Sequence, residues 1–151
     1  MKEELMILLT AAAPISEVRG GVPLGLALGF TPLKAYLLAL LGNGLIVLPL
    51  LLFLKYGSRW LMGKSVTGNH FLSWLFIRTR RLHGERFENA GVVALALFVA
   101  VPLPMTGAWT AAILAFLFDF SLWRSFIAIL IGVAVSGAIV LALSMGFIQL
   151  F

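Results

Sequence analysis

Long apolar runs alternate with short polar interruptions along the chain, and two of the runs are long enough for complete membrane crossings. Residues 35–54 form twenty positions without a charged side chain, and Asn43 is the strongly polar member of that run. Residues 125–151 form a second run of the same kind. A helix needs about 20 apolar residues to cross a bilayer. Each run therefore predicts one transmembrane helix.

Two other apolar regions, 5–30 and 91–118, are broken near their centres. The interrupting polar, Gly, Pro and aromatic residues are Ser16, Glu17, Arg19, Gly20 and Gly21 in the first region, and Pro102, Pro104, Thr106, Gly107, Trp109 and Thr110 in the second. The arm before the first break, residues 5–15, would extend about 16 Å at ~1.5 Å per residue, roughly half a bilayer. The pattern predicts two re-entrant hairpins, in which the chain enters, turns at a polar tip and returns to the same side.

The charges of the first tip predict an irregular backbone. Glu17 and Arg19 are two positions apart, so on a regular helix they would face roughly opposite directions. An unpaired charge at bilayer depth costs at least ~2.5–3.5 kcal/mol. We therefore expect residues 16–21 to be non-helical, with Gly20 and Gly21 in a tight turn and the tip facing a wet cavity, since irregular backbone at that depth is tolerated only there or within protein.

The two halves of the chain resemble each other. At a shift of 90 residues, Phe30, Lys34, Tyr36 and Gly42 fall on Phe120, Arg124, Phe126 and Gly132, and at a shift of 88 Pro14 falls on Pro102. This predicts a single 1–151 membrane domain with repeat 1 at about 5–55, a connector at 56–90 and repeat 2 at about 91–151. One crossing between the copies would invert them, with both chain ends outside.

An ordinary four-helix bundle is the alternative fold. In it, the two broken regions cross completely and Glu17 and Arg19 serve as polar contacts between neighbouring helices. Charge counting does not separate the models, because Lys2 and Arg124 merely exchange sides.

Composition and charge support a multi-pass membrane protein with a cytoplasmic connector. The chain is 62% hydrophobic and 11% charged, with a mean hydropathy of +1.08 and a net charge of +5. Seven of the eleven Lys and Arg residues lie at 55–86, which places the connector in the cytoplasm by the positive-inside rule. Within it, residues 71–76 predict a short helix in the membrane interface, followed by arginines that meet anionic headgroups. A plain basic loop is the other interpretation of this stretch. The basic stretch matches no nucleic-acid-binding motif, so we expect no nucleic-acid partner.

The chemistry of the tips predicts transport rather than catalysis. There is no cysteine, no arrangement of nucleophile and base, and no reason to expect a cofactor, a metal or an enzyme. Glu17 is a candidate coupling site for protons, and the planar donor fork of Arg19 suits phosphate or carboxylate. Helices that begin near Gly21 and Thr106 would direct positive dipole ends at the same guest. The other interpretation is a structural ion pair that links the tips, with Trp109 in packing rather than in substrate contact.

The interrupted segments also carry a family resemblance. Residues 14–25 (PISEVRGGVPLG) and 98–110 (FVAVPLPMTGAWT) resemble the two signatures of the small multi-drug export protein family, and the resemblance runs over nearly the whole chain. That family is similar in layout to the DedA (VTT) superfamily. The resemblance implies a re-entrant-hairpin transporter that flips polyprenyl phosphate or phospholipid, driven by a proton or sodium gradient. It carries over to Glu17, Pro102 and Pro104. Met105 stands where the family favours a small residue.

A further departure concerns substrate identity. DedA-type proteins carry arginines at the second tip, where this chain has Thr106 and Thr110.

The combined prediction is an all-α integral membrane protein, a homodimer in the prokaryotic plasma membrane, that moves an anionic amphiphile in a gradient-coupled way. Two alternatives stay open. One is a proton-coupled exporter of hydrophobic cations that uses Glu17 alone. The other is a membrane assembly or scaffold protein without transport, whose polar tips only lock the fold.

Overall fold

The computed structural model describes residues 1–57, 85–103 and 106–150, and within them the chain is helical apart from short turns. The helices are α1 Lys2–Ala12, α2 Glu17–Ala27, α3 Pro32–Leu52, α4 Glu85–Ala100, α5 Ala108–Leu117 and α6 Leu122–Leu150. A π-helical turn, Phe53–Gly57, continues α3. The predicted interfacial helix at 71–76, most of the basic connector, Pro104 and Met105 lie outside the described residues.

Among the described residues, two helices have the length and apolar character of membrane spans, as the sequence predicts. They are Pro32–Gly57, in which α3 runs into the π-helical turn, and Leu122–Ile148 within α6. Both carry a stripe of exposed aliphatic side chains at a spacing of four, so each stripe occupies one helix face. The stripe residues are Leu33, Leu37, Leu41 and Leu45 on α3, and Ile127, Ile131, Val135 and Ile139 on α6. Such contiguous apolar surface is expected of helices that face lipid.

Helices α1 and α2, eleven residues each, form hairpin 1, which packs on α3. A Cβ at Gly25 would lie 2.6 Å from that of Ala35 and 3.3 Å from Cδ1 of Ile7. Lys34 Nζ lies 2.7 Å from Glu4 Oε1, so the start of α1 and the start of α3 lie at the same level. The chain therefore reverses between α1 and α2 and returns to the level where it entered.

Helices α4 and α5 form hairpin 2, which packs on α6 in the same manner. Arg124 Nη1 donates to Asn89 Oδ1 at 3.2 Å, which brings the first half of α4 beside the start of α6. Gly91 of α4 lies against the ring of Phe120, which a Cβ at position 91 would overlap. In hairpin 2, as in hairpin 1, the beginning of the first helix therefore lies beside the beginning of the long helix that follows.

The same backbone hydrogen bonds recur 90 residues apart. Phe30 N donates to Gly25 O at 3.0 Å, and Phe120 N donates to Ala115 O at 2.9 Å. The residue before each phenylalanine has a left-handed backbone, with φ of 81° at Gly29 and 54° at Asp119. This is the Schellman arrangement that ends a helix. It turns the chain from each hairpin into its long helix.

The long helices α3 and α6 run in opposite directions where they touch. The Tyr36 hydroxyl donates to Ala134 O at 3.0 Å, and a Cβ at Gly44 would lie 3.2 Å from Cδ2 of Leu130. Residue numbers thus rise along α3 while they fall along α6. The open ends of the two hairpins consequently lie at opposite ends of the molecule, and their tips meet near its middle.

The expectation of a non-helical 16–21 segment is wrong. Helix α2 already begins at Glu17, and the irregularity is concentrated in that residue, whose φ is 48°. Gly20 and Gly21 lie inside the helix. A Cβ at Gly21 would be 2.9 Å from those of Ala11 and Ala39, so this glycine allows close packing of α2 rather than a tight turn.

Candidate functional site

The carboxylate of Glu17, on hairpin 1, lies at the first turn of α5 in hairpin 2. Trp109 N donates to Glu17 Oε1 at 3.3 Å, and the Glu17 residue is 5% exposed. Gly107 precedes α5 as its N-cap residue, and a Cβ there would overlap the Glu17 carboxylate. A helix N-terminus offers unpaired N–H groups and a positive dipole end, so it is a ready anion site. In this structure Glu17 occupies it.

Arg19 holds the turn of hairpin 2 that precedes α5. Its Nη1 donates to Leu103 O, and its Nη2 donates to Thr106 Oγ1 at 3.0 Å. Thr106 Oγ1 in turn lies 2.7 Å from Val101 O and 2.8 Å from Leu103 O, which closes the turn on itself. The guanidinium therefore connects hairpin 1 to a preformed loop beside the helix end that Glu17 occupies.

A third contact runs in the reverse direction. Trp109 Nε1, on hairpin 2, donates to Ala12 O of hairpin 1 at 3.1 Å. Glu17 and Gly107 are 90 residues apart, and so are Arg19 and Trp109, the same shift as in the helix ends. Each tip therefore supplies a donor side chain at matching positions to a carbonyl of the other tip. The carboxylate alone has no counterpart, because its equivalent is Gly107.

The remaining predicted residues surround these contacts. Ser16 Oγ donates to Thr10 O at 2.5 Å, which pins the turn of hairpin 1, and a Cβ at Gly20 would lie 2.6 Å from that of Ser16. Pro102 is in the turn of hairpin 2, and Thr110 is in the first turn of α5, partly buried. The helices start at Glu17 and Ala108 rather than near Gly21 and Thr106, so the predicted helix starts are wrong by a few residues.

Two groups that take part in the contacts of the tips were not predicted. They are the backbone carbonyls of Leu103 and Ala12, whose role depends on the tertiary fold and leaves no mark in the sequence. Outside these contacts, Asn43 of α3 is a fully buried polar side chain. Its sequence signal, a single carboxamide in an otherwise apolar span, was visible without indicating a role.

The two charges of hairpin 1 bind separate partners on hairpin 2. Glu17 reaches the end of a helix, whereas Arg19 reaches a carbonyl and a hydroxyl. Both charges nevertheless connect the hairpins. The arrangement can therefore hold the tips together and can also bind an anion.

Two apolar spans, two helical hairpins and a charged contact between their tips define an all-helical membrane protein. A family model described as "Putative small multi-drug export protein" matches residues 17–139, well over half of the chain. The chain belongs to this family, as its two signature segments predicted. Neither the curated proteins nor the solved structures gave a match.

Proposed function

We propose that the protein is a membrane transporter that moves an anionic amphiphile, with Glu17 taking up a proton when the anion binds. The observation that carries the proposal is the position of the Glu17 carboxylate on the N-terminus of α5, next to Arg19. An anion-binding position is thus filled by the protein's own side chain, and this side chain loses its charge when it is protonated.

Competition for this position links the two events. A carboxylate and an anionic headgroup cannot both accept from the first N–H groups of α5, and their like charges repel each other. Protonation removes the charge of Glu17 and weakens its hold on the helix end, since charge-assisted hydrogen bonds are about twice as strong as neutral ones. The headgroup, a phosphate or a carboxylate, then accepts from α5 and from the fork of Arg19. One proton is taken up for each anion bound.

An apolar pocket suits the hydrocarbon part of the guest. It has a volume of about 390 Å³ and lies between α4 and α5, with lining residues that include Gly91, Leu95, Phe98, Leu114 and Phe118. The pocket is at the far end of α5 from Gly107. A ten-residue helix is about 15 Å long at ~1.5 Å per residue. A lipid with its headgroup at the tips could lay its tail along α5 into this pocket.

The hairpins are, in this proposal, re-entrant from opposite sides of the prokaryotic plasma membrane. Support comes from the contact of Lys34 with Glu4, from the equivalent contact of Arg124 with Asn89, and from the antiparallel course of α3 and α6. The connector at 56–90 is cytoplasmic, and two copies form a dimer, since two spans alone enclose little of a transport path.

Transport in proteoliposomes tests the proposal. The probes are headgroup-matched fluorescent lipids, an anionic phosphatidylglycerol and a zwitterionic phosphatidylcholine, followed by quenching from the outside under an imposed pH gradient. We expect the anionic probe to move faster, in a gradient-dependent way. Arg19→Ala should slow it at least about tenfold, the scale of a lost charge-assisted contact of ~1.5–3 kcal/mol. Glu17→Gln should remove the gradient dependence.

The control is Arg124→Gln, which removes a positive charge at the open end of hairpin 2, away from the tips. It should keep the selectivity and the gradient dependence of the natural chain. Full gradient-dependent movement in Glu17→Gln, or equal rates for the two probes, would contradict the proposal.

The family description favours a second candidate, a proton-coupled exporter of hydrophobic cations. In that mechanism Glu17 binds the cation directly and Arg19 opposes it. Efflux of a hydrophobic cation such as ethidium would then persist or increase in Arg19→Ala and disappear in Glu17→Gln. Folded protein that moves neither an anionic lipid nor a cation would favour the scaffold role.

A further inference from the structure

Asn43 is a buried polar side chain that the contacts of the tips do not use. It lies in the middle of α3, is 0% exposed, and neither its Nδ2 nor its Oδ1 has a hydrogen-bond partner among the described residues. A buried amide without partners is unfavourable. The structure as it stands therefore does not explain why an amide is present here, and a second conformation of the protein could give it a partner.

The packing of α2 on α3 indicates that Asn43 lies near Glu17. A Cβ at Gly25 would lie 2.6 Å from that of Ala35, and one at Gly21 would lie 2.9 Å from that of Ala39. From the first contact to the second, the residue number falls by four on α2 and rises by four on α3, about one helical turn on each helix. The next step of this register brings residue 17 opposite residue 43.

The two side chains are chemically complementary in one protonation state. A carboxamide has an acceptor in Oδ1 and donors in Nδ2, and a protonated carboxyl has one O–H donor and one carbonyl acceptor. Paired side by side, they satisfy each other with two hydrogen bonds. A carboxylate has no donor, so it would leave Oδ1 unpaired. Asn43 therefore distinguishes the protonated form of Glu17 from the ionised form.

We propose that Asn43 is the second resting place of Glu17, which receives the protonated carboxyl when it leaves the N-terminus of α5. This inference rests on the proposed function and adds a positioning residue to it. Ionised Glu17 caps α5, whereas protonated Glu17 pairs with Asn43 and leaves the helix end to the anionic headgroup. The unpaired amide is then the empty half of a two-position switch.

The charged surroundings agree with this role. Among the described residues, Arg19 is the other charged side chain at the level of Glu17, and it donates hydrogen bonds to Leu103 O and Thr106 Oγ1. The Tyr36 hydroxyl of α3 donates to Ala134 O. The other titratable groups whose side chains the structure describes lie toward the ends of the helices. They are Lys2, Glu3, Glu4 and Lys34 at the open end of hairpin 1, Lys55 and Tyr56 at the end of α3, and Asp119 and Arg124 at the open end of hairpin 2.

Infrared difference spectroscopy of the full chain in lipid measures this switch directly. The carboxylic C=O band that Glu17→Gln abolishes reports protonated Glu17, and its frequency reports the hydrogen bonding of that carboxyl. The informative variants are Asn43→Val and Asn43→Thr, which have nearly the same shape and differ by one hydroxyl. In Asn43→Val we expect the band to move to the frequency of a weakly bonded carboxyl and the proton affinity of Glu17 to fall about tenfold, the equivalent of ~1.4 kcal/mol.

The hydroxyl of Asn43→Thr both donates and accepts, so this variant should recover part of the affinity. Ser125→Ala is the matched control, because Ser125 is also a fully buried and unpartnered polar group of a long helix but lies at the open end of hairpin 2. It should leave the band unchanged. Asn43→Val should also unfold at a temperature no lower than that of the natural chain. The amide that it removes has no hydrogen-bond partner while Glu17 occupies the N-terminus of α5.

The outcomes separate the two proposals. A natural chain in which no Glu17 band appears as the pH falls would remove the proton-coupled function itself. A band that appears, but keeps its frequency and its midpoint in Asn43→Val, would overturn the role of Asn43 and leave the coupling of Glu17 intact.

Discussion

At the scale of single residues, Glu17 combines two unfavourable features. Its backbone is left-handed, with φ of 48°, and its charged side chain is buried. A left-handed non-glycine residue costs ~1–3 kcal/mol and persists only where its surroundings hold it. The turn of hairpin 1 and the end of α5 provide that support. This conformation directs the carboxylate across to the other hairpin, where its charge is stabilised.

The space for this carboxylate depends on Gly107, which gives a direct test. Gly107→Ala should destabilise the protein by ~1–3 kcal/mol, the usual cost of overpacking, because its Cβ would overlap Glu17. Thermal unfolding in detergent measures the change. Gly146→Ala is the control, since a Cβ there meets nothing within 4 Å, and it should be neutral or stabilising by up to ~1 kcal/mol. Equal stability of the two variants would show that Glu17 does not occupy the helix end.

At the scale of elements, the turn after α2 and the turn after α5 have the same backbone form but carry different residues. Gly29 and Asp119 share the left-handed position, and a Cβ at Gly29 would meet nothing within 4 Å. The left-handed backbone, rather than a clash of the Cβ, therefore determines the penalty for a side chain at Gly29. Asp and Asn tolerate this conformation, whereas a β-branched residue does not.

We therefore expect Gly29→Asp to keep most of the stability and Gly29→Val to lose about 1–2 kcal/mol more, the left-handed penalty for an ordinary residue. Thermal unfolding of the pair checks this. Equal losses would indicate that the turn after α2 does not have the geometry of the turn after α5.

The open ends of the hairpins differ in their response to acid. The Lys34 ammonium, through its hydrogen bond and its charge, holds the pKa of the Glu4 carboxyl below its ordinary value of 4.5. Because the pKa of Glu4 is lower in the folded protein, its ionised carboxylate stabilises the fold when the pH is above the ordinary pKa. This stabilisation is lost as the pH falls through the lowered pKa. The equivalent contact in hairpin 2 joins Arg124 to an amide, Asn89, which does not titrate.

Acid should therefore loosen hairpin 1 before hairpin 2. Hydrogen exchange at the start of α1 should accelerate as the pH falls below the ordinary carboxyl pKa of 4.5, while that of α4 near Asn89 changes less. Glu4→Gln should show the faster α1 exchange already at neutral pH. The effect should be small, since Lys34 is exposed and Glu4 is partly exposed to solvent. Exchange in α1 that is independent of both pH and Glu4→Gln would contradict the assignment.

At the scale of the whole molecule, the arrangement of the chain in the membrane is directly measurable. The chain has no cysteine, so single cysteines at Lys2 and Ser121 can be labelled without background. Hairpins that re-enter from opposite sides leave Lys2→Cys accessible from outside and Ser121→Cys accessible from the cytoplasm. A four-span bundle reverses both results. Membrane-impermeant maleimide applied to intact cells and to permeabilised cells distinguishes them.

The sequence predicted the helical class, the two spans and the residues that meet at the tips, because run lengths, Pro and Gly positions and isolated charges are local signals. It did not predict that α2 begins at Glu17, because the packing of Gly21 against Ala11 and Ala39 favours a helix where composition suggested a turn. Nor could it indicate the Leu103 and Ala12 carbonyls as acceptors or the register of α2 on α3 from which we infer that Asn43 lies opposite Glu17. These features arise only when separate helices pack together.

The lone carboxylate at the hairpin contact has a consequence for energetics. If each cycle exchanges the negative charge of Glu17 for that of one monoanionic headgroup, and the proton travels with the lipid, no net charge crosses the bilayer. Flux would then follow the pH difference and ignore the electrical potential. Clamping the voltage with potassium and valinomycin would leave the rate unchanged, whereas a dianionic headgroup would make the same cycle electrogenic.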